Sequence, residues 1–222
     1  MCGRFSLSFS RQDLLEYLGL EGIEFTPRFN IAPTQDILII RTDSEERKEI
    51  TNVHWGLIPA WADTLPKSPL INARCETVGT KPSFRKAFHH RRCLVPATGF
   101  YEWKKEGRKR LPFHITYPDG SPMLFAGIWD RWKNPKDPKQ VIESCAIITC
   151  DACPVIEPLH NRMPVLITKE SSDLWLHGNM EQAGSLLVPF SGQLQLNPAN
   201  PVMNSGTVEG PECLQAKQVE LF

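Results

Sequence analysis

The sequence predicts an α+β fold: one strand-dominated domain over residues 1–222, with a largely antiparallel, barrel-like sheet and a few short helices. Three observations predict it. Short β-rich runs recur along most of the chain, at residues 37–41, 53–58, 94–97, 113–116, 123–129, 145–149, 164–167 and 193–196. Turn signals such as Pro118-Asp119-Gly120 separate neighbouring runs, as hairpins require. Nineteen prolines leave little room for long helices, because each removes a backbone donor and fixes φ.

The helices that do fit are short. Ser10-Arg11-Gln12-Asp13 resembles a capping box that opens a helix through Leu14, Leu15 and Leu18, and Gly19 stops it. Pro82, acceptable in a first turn, starts a second helix through Phe84, Ala87 and Phe88. A third covers Ser172–His177. The stretch KNPKDPKQ at residues 133–140 reads as an exposed loop. No repeat, low-complexity tract or linker interrupts the domain.

At 222 residues, with 41% hydrophobic and 23% charged side chains, the chain is long and apolar enough to bury a substantial core. No apolar run approaches the roughly 18–20 residues a membrane span needs. Arg4, Arg11 and Asp13 make the start too polar for a secretory signal. Seven cysteines, odd in number and scattered, argue against a disulfide framework and for a reducing, cytoplasmic compartment. A monomer is expected.

The net charge of zero conceals an asymmetry. Residues 72–114 hold eleven Lys or Arg against three acids, and the rest of the chain is correspondingly acidic. One cluster is Arg85, Lys86, Arg91 and Arg92; the other, Lys104 to Arg110, reads as a solvated hairpin tip around Gly107. Basic clusters attract phosphate backbones when they converge on one face, and are otherwise solvated surface.

Four positions carry the candidate chemistry. Cys2 follows the initiator Met, and trimming of Met1 leaves an α-amine and a thiol on one residue. Their ordinary pKa values, about 7.7–8.0 and about 8.5, keep both partly nucleophilic near neutrality. Such an aminothiol condenses with an aldehyde to a Schiff base and then a five-membered thiazolidine; taken alone, the plainer reading is that Cys2 is simply the residue after Met. Asn72 interrupts an apolar run, two positions before Arg74. Glu102 lies among Phe100, Tyr101 and Trp103, where burial raises a carboxyl pKa toward neutrality, although a strand residue facing a lysine in solvent is the plainer reading. His160 sits in a polar triplet between hydrophobic stretches and suits proton exchange, or a structural hydrogen bond.

In order along the chain, Met-Cys-Gly-Arg-Phe at 1–5, Phe-Asn-Ile-Ala-Pro at 29–33, Trp-Gly-Leu-Ile-Pro at 55–59, Ile-Asn-Ala-Arg-Cys-Glu-Thr at 71–77, Gly-Phe-Tyr-Glu-Trp-Lys at 99–104 and Leu-His-Asn-Arg-Met-Pro at 159–164 resemble the SRAP family, the SOS-response-associated peptidases. The resemblance runs from residue 2 to Pro-Glu-Cys-Leu at 211–214. It implies a protein that crosslinks itself to abasic sites in single-stranded DNA, working in the cytoplasm and at the nucleoid when DNA-bound, with no cofactor. It implies Cys2 as the nucleophile, Asn72 holding the N-terminal residue and the opened sugar, Glu102 shuttling protons at the amine and the ring oxygen, and His160 assisting Schiff-base formation or reversal. Arg4, Arg74 and Arg162 match phosphate-gripping positions, and Trp61 a base-stacking one. One departure stands out: the 204–209 segment carries Glu209 and no positive charge, which puts a DNA contact there in doubt. Two rivals remain, an N-terminal-nucleophile peptidase in which the α-amine acts as base, and a zinc module built on Cys145, Cys150, Cys153 and His160.

Overall fold

The computed structural model describes residues 2–21 and 24–215. Strand β1 (Phe5–Leu7) precedes helix α1 (Arg11–Leu18), strands β2 (Arg28–Ile31), β3 (Asp36–Thr42), β4 (Lys48–Trp55) and β5 (Asn72–Arg74), and helix α2 (Arg85–His90). Then come β6 (Arg92–Ala97), β7 (Gly99–Glu106), β8 (Lys109–Thr116), β9 (Met123–Asn134) and β10 (Asp137–Asp151). The chain continues through β11 (Arg162–Pro164), β12 (Leu166–Ile167), helices α3 (Ser172–His177) and α4 (Met180–Ser185) and β13 (Gln195–Pro198), and adds 3-10 turns at Pro201–Asn204 and Pro211–Cys213.

Strands β10, β4, β3, β6 and β9 pair in that order, and β9 pairs back onto β10, so these five close into a barrel. A second sheet runs β13-β8-β7-β1-β2. Pairing is antiparallel except where β10 lies parallel to β4 and to β5. Closure leaves no open edge in the ring, and β6 is buried along its whole length. Sheet and barrel meet at an aromatic cluster. Phe5 of β1 packs edge-on against Trp55 of β4 at 5.2 Å and Phe125 of β9 at 5.9 Å, and Phe100 of β7 meets Phe125 at 6.1 Å.

Helix α1 forms as the sequence dictates. The Ser10 side chain accepts from the Asp13 N–H, and Gly19 ends the helix at φ 64°, a left-handed conformation glycine adopts without strain. Helix α2 begins three residues later than expected, at Arg85, with residues 82–84 forming a turn ahead of it. The expected run at 53–58 stops at Trp55, because Gly56 turns away at φ 152° with Pro69 packed against it.

Residues 133–140 are not a loop. They extend the β9–β10 hairpin, with Asn134 opposite Asp137 and Lys133 opposite Val141, and Pro138 falls in the register shift where no ladder donor is needed. Strands β1, β2 and β5 were not expected, since three or four residues are too few to show alternation. Among the described residues no helix is long and apolar enough to cross a membrane.

Candidate active site around Cys2

Cys2 sits at the entry to β1 and is fully buried. The β1–β7 register pairs Phe5 with Phe100 and Ser6 with Gly99, and the Tyr101 N–H donates to the Arg4 carbonyl at 2.9 Å. Continued by one step, it sets Glu102 across from Gly3. Asn72, first residue of β5, donates from Nδ2 to the Cys2 carbonyl at 2.9 Å. The same Trp55 that packs on Phe5 donates from Nε1 to the Ile71 carbonyl at 2.9 Å, so one indole fixes both the Cys2 strand and the Asn72 strand. Asn72 Oδ1 is buried with no hydrogen-bond partner among the described residues. A buried acceptor without a donor costs free energy unless a ligand supplies one.

The electrostatics of these groups are unusual. Burial, aided by the Glu102 charge, pushes the Cys2 thiol up to about 12. Burial likewise pushes Glu102, only 3% exposed, up to about 7. Its carboxyl therefore exchanges protons near neutrality, the condition for efficient general acid–base catalysis. His160 is shifted down, chiefly by burial and further by the nearby Lys105 charge, and is neutral at pH 7. Its Nδ1 accepts the Arg162 backbone N–H at 2.9 Å, so the neutral ring carries its proton on Nε2. Glu102 and His160 line one cleft of about 300 Å³ together with Trp103, Lys105, Arg110 and Leu159.

The four remaining candidates are placed very differently. Arg74 shares the exposed face of β5 with Asn72 and makes no side-chain hydrogen bond or ion pair among the described residues. Arg162 is held tightly: Nη1 donates to Glu76 and Asp151, and Nη2 to Glu76 and the Thr149 carbonyl. Burial works against its charge, but these carboxylates raise its pKa, and Arg162 in turn holds Glu76 down at about 2. Arg4 points inward, donating to Asn30 Oδ1 at 2.6 Å and the Met203 carbonyl at 3.0 Å, and burial lowers its pKa. Trp61 is 61% exposed on the loop after β4, away from the residues lining the Glu102 cleft.

Several contributors escaped the sequence reading. Lys105 and Arg110 belong to the β7–β8 hairpin and are exposed, as expected, and both also line the Glu102 cleft. Their opposition across the hairpin was the available signal. Asn30 donates to the Met203, Ser205 and Val208 carbonyls, lashing the C-terminal segment to β2. Glu209, the acid that set this chain apart, pairs with Arg28 at 2.6 Å and so anchors that segment. The basic cluster at 85–92 splits: Arg92 is buried and caps α3 through the Trp175 and Gly178 carbonyls, and Arg91 pairs with Asp130. Among the described residues no three His, Cys, Asp or Glu side chains converge, so Cys145, Cys150, Cys153 and His160 do not form a ligand set.

A closed five-stranded barrel flanked by an antiparallel sheet, with a buried Cys2 pinned at their junction, defines the structural class. The model of the SOS response associated peptidase (SRAP) family matches residues 1–206, and the chain belongs to that family. It is 34% identical to the abasic site processing protein YoqW of Bacillus subtilis, over 97% of this chain and all of that one. It is 32% identical to the abasic site processing protein YedK of Escherichia coli, over 97% of this chain and 99% of that one. A crystal structure of a Bacteroides thetaiotaomicron protein superposes with a TM-score of 0.84 at 27% identity, covering 97% of this chain and all of the other.

Proposed function

We propose that this chain processes abasic sites in single-stranded DNA by attaching itself to them through Cys2, after removal of Met1. The observation that carries the reading is the junction itself. Asn72 fixes the Cys2 carbonyl, and a carboxyl poised at about 7 acts on the same residue. The names of the full-length relatives support the substrate.

The chemistry balances without a cofactor. Glu102, in its protonated form, gives a proton to the sugar ring oxygen as the C1′–O bond breaks, and the C1′ hydroxyl returns a proton to the carboxylate, which leaves the aldehyde. The Cys2 amine adds to C1′, and the aldehyde oxygen leaves as water to give the Schiff base. The thiol then adds to the same carbon: the S–C1′ bond forms, and the C=N electron pair takes the proton lost by the thiol, relayed by Glu102, to become the N–H of the ring. Nothing is oxidised or reduced. A thiol held at about 12 is a poor resting nucleophile, which suits an order in which the amine reacts first. The neutral His160 serves proton transfer from its Nε2–H, and Asn72 Oδ1 accepts from a hydroxyl of the opened sugar.

Arg74 offers a phosphate contact on the open face, Arg4 and Arg162 hold the floor from which the strand is gripped, and Trp61 offers a stacking surface. The single-strand preference follows from the need to splay out one unstacked nucleotide. Intact-mass measurement after mixing with a single strand carrying one abasic site tests the scheme. The adduct mass should equal Met1-trimmed protein plus DNA minus one water. Adduct on protein that retains Met1 would overturn it.

A further inference from the structure

Three aromatic rings gather at the end of β8 remote from Glu102. Phe113 of β8 lies across from Glu102, and the strand then runs on to Tyr117 and the turn into β9. There Tyr117 packs on Phe190 with ring centroids 5.4 Å apart. Helix α1 brings in Tyr17, and the Lys169 ammonium sits 4.6 Å from the centroid of its ring. These four residues, with Asp119 and Glu170, line a cleft of about 540 Å³ that shares no residue with the Glu102 cleft. Both acids are held by their own turns. Asp119 Oδ1 accepts the Ser121 N–H at 3.0 Å and the Ser121 hydroxyl at 2.8 Å. Glu170 is kept ionised by its own N–H and the Thr168 hydroxyl, which lower its pKa. Burial raises the pKa of the Tyr17 and Tyr117 hydroxyls, and both carboxylates add to that rise, so rings and negative charge surround one space. A ring face attracts a cation through its quadrupole, and Lys169 already uses that attraction.

We propose that this cleft binds a guanidinium group, the side chain of an arginine in a basic segment of a partner protein, which stacks on Tyr17 in place of Lys169 and pairs with Asp119 and Glu170. A guanidinium suits the site better than an ammonium, because its plane lies on a ring while its fork reaches a carboxylate. Two carboxylates against one lysine leave the lining net negative, which favours a basic segment over nucleic acid or an acidic peptide. Lys169 is an internal stand-in that the arginine displaces. The turns bearing the acids are fixed beforehand, so little order is lost on binding. The inference does not rest on the chemistry at Cys2. It gives the protein a docking point that shares no residue with the crosslinking site, so a partner can bind while Cys2 is engaged.

The test is fluorescence anisotropy of the full-length protein with a labelled peptide of alternating glycine and arginine, beside the matching lysine peptide, across a salt series. The arginine peptide should bind, and the lysine peptide should bind about threefold more weakly. Tyr17→Leu keeps the apolar bulk but removes the π face, and should weaken arginine-peptide binding about fivefold. Asp119→Asn/Glu170→Gln should weaken it about tenfold and flatten its salt dependence. Glu45→Gln/Glu46→Gln, which removes the same charge from the β3–β4 turn, should match wild type. Lys169→Gln vacates the Tyr17 face and should tighten binding about threefold, a gain that misfolding does not produce. Wild type that binds no arginine peptide, equal binding of the two peptides, or cleft variants that behave like the β3–β4 control each overturn the proposal. Weaker binding by Lys169→Gln overturns it too, since Lys169 would then be a ligand contact in an anion site. None of these outcomes bears on crosslinking through Cys2, and loss of that reading leaves this one standing.

Discussion

Burial raises the Glu102 carboxyl, and the Glu102 charge adds to burial in raising the Cys2 thiol. That coupling makes Glu102 the residue whose removal should speak most clearly. Glu102→Gln keeps shape and burial but cannot exchange a proton, so crosslinking should slow by roughly 10²–10³-fold. The rate inflection near pH 7 should disappear with it. An unchanged pH–rate profile would assign the inflection to another group. Arg74 and Arg162 should also part company. Arg74→Ala removes a cation with no partner among the described residues, and should lower single-strand affinity and cut the salt slope by about 0.7 with no loss of melting temperature. Arg162→Ala strands Glu76 and Asp151 beside the Thr149 carbonyl, and should lower the melting temperature as well. Glu76 is depressed by Arg162, so the stability it contributes is present above its unfolded pKa of about 4.5 and is lost as pH falls toward 2. Thermal scans at pH 7 and pH 3 check this: the gap between wild type and Arg162→Ala should narrow in acid. At this scale the sequence was informative about residue identity and silent about partners. Asn72, Glu102 and His160 each stood out as polar groups in apolar surroundings. Nothing in the sequence distinguished Arg74, open to solvent, from Arg162, whose outer nitrogens are all engaged.

Elements determine whether those residues meet. Strand β1 is three residues long and would not hold alone; Phe5, wedged between Trp55 and Phe125, keeps it in place. Trp55 also bonds the carbonyl just before Asn72, so Trp55→Phe should loosen both halves of the junction while preserving most of the packing. Because the Ile71 carbonyl keeps the Ile147 N–H, the stability loss should be modest, about 1–2 kcal/mol by chemical denaturation. Crosslinking should fall more than that loss implies, and a variant with wild-type rate would show that Trp55 only packs. Helix α1 was legible because capping is local: Ser10 and Gly19 act within their own neighbourhood. Strand β5 was not, because it exists only through parallel pairing with residues 147–149 of β10, distant in sequence. The hairpin at Lys104 to Arg110 was legible as a turn, but its position over Glu102 depends on packing that no local pattern records.

For the whole molecule, alternating runs and turn signals sufficed to indicate a mostly antiparallel, barrel-like sheet. They did not indicate how the barrel closes, since the β10–β4 contact is parallel and joins strands some ninety residues apart in the chain. The assembled fold buries His114 on β8, with Nε2 2.8 Å from Ser6 Oγ, and burial lowers its pKa to about 4. The unfolded chain binds that proton near pH 6.5, so His114 contributes stability above that value and loses it as pH falls toward 4. The loss should amount to roughly 3 kcal/mol. Glu102 acts in the opposite sense, its raised pKa making the fold less stable as pH rises from about 4.5 through 7. Denaturant titrations of wild type and His114→Gln at pH 7.5 and pH 4.5 separate the two, and a stability gap independent of pH would contradict the buried neutral imidazole. The central claim concerns the covalent bond at Cys2. The most direct measurement is denaturing electrophoresis of wild type, Cys2→Ser and Cys2→Ala after mixing with a single strand bearing one abasic site, with and without borohydride. Wild type should give a stable band without reductant, and Cys2→Ser and Cys2→Ala should give at most a band that needs borohydride. An equally stable, reductant-independent band from Cys2→Ala would contradict the account.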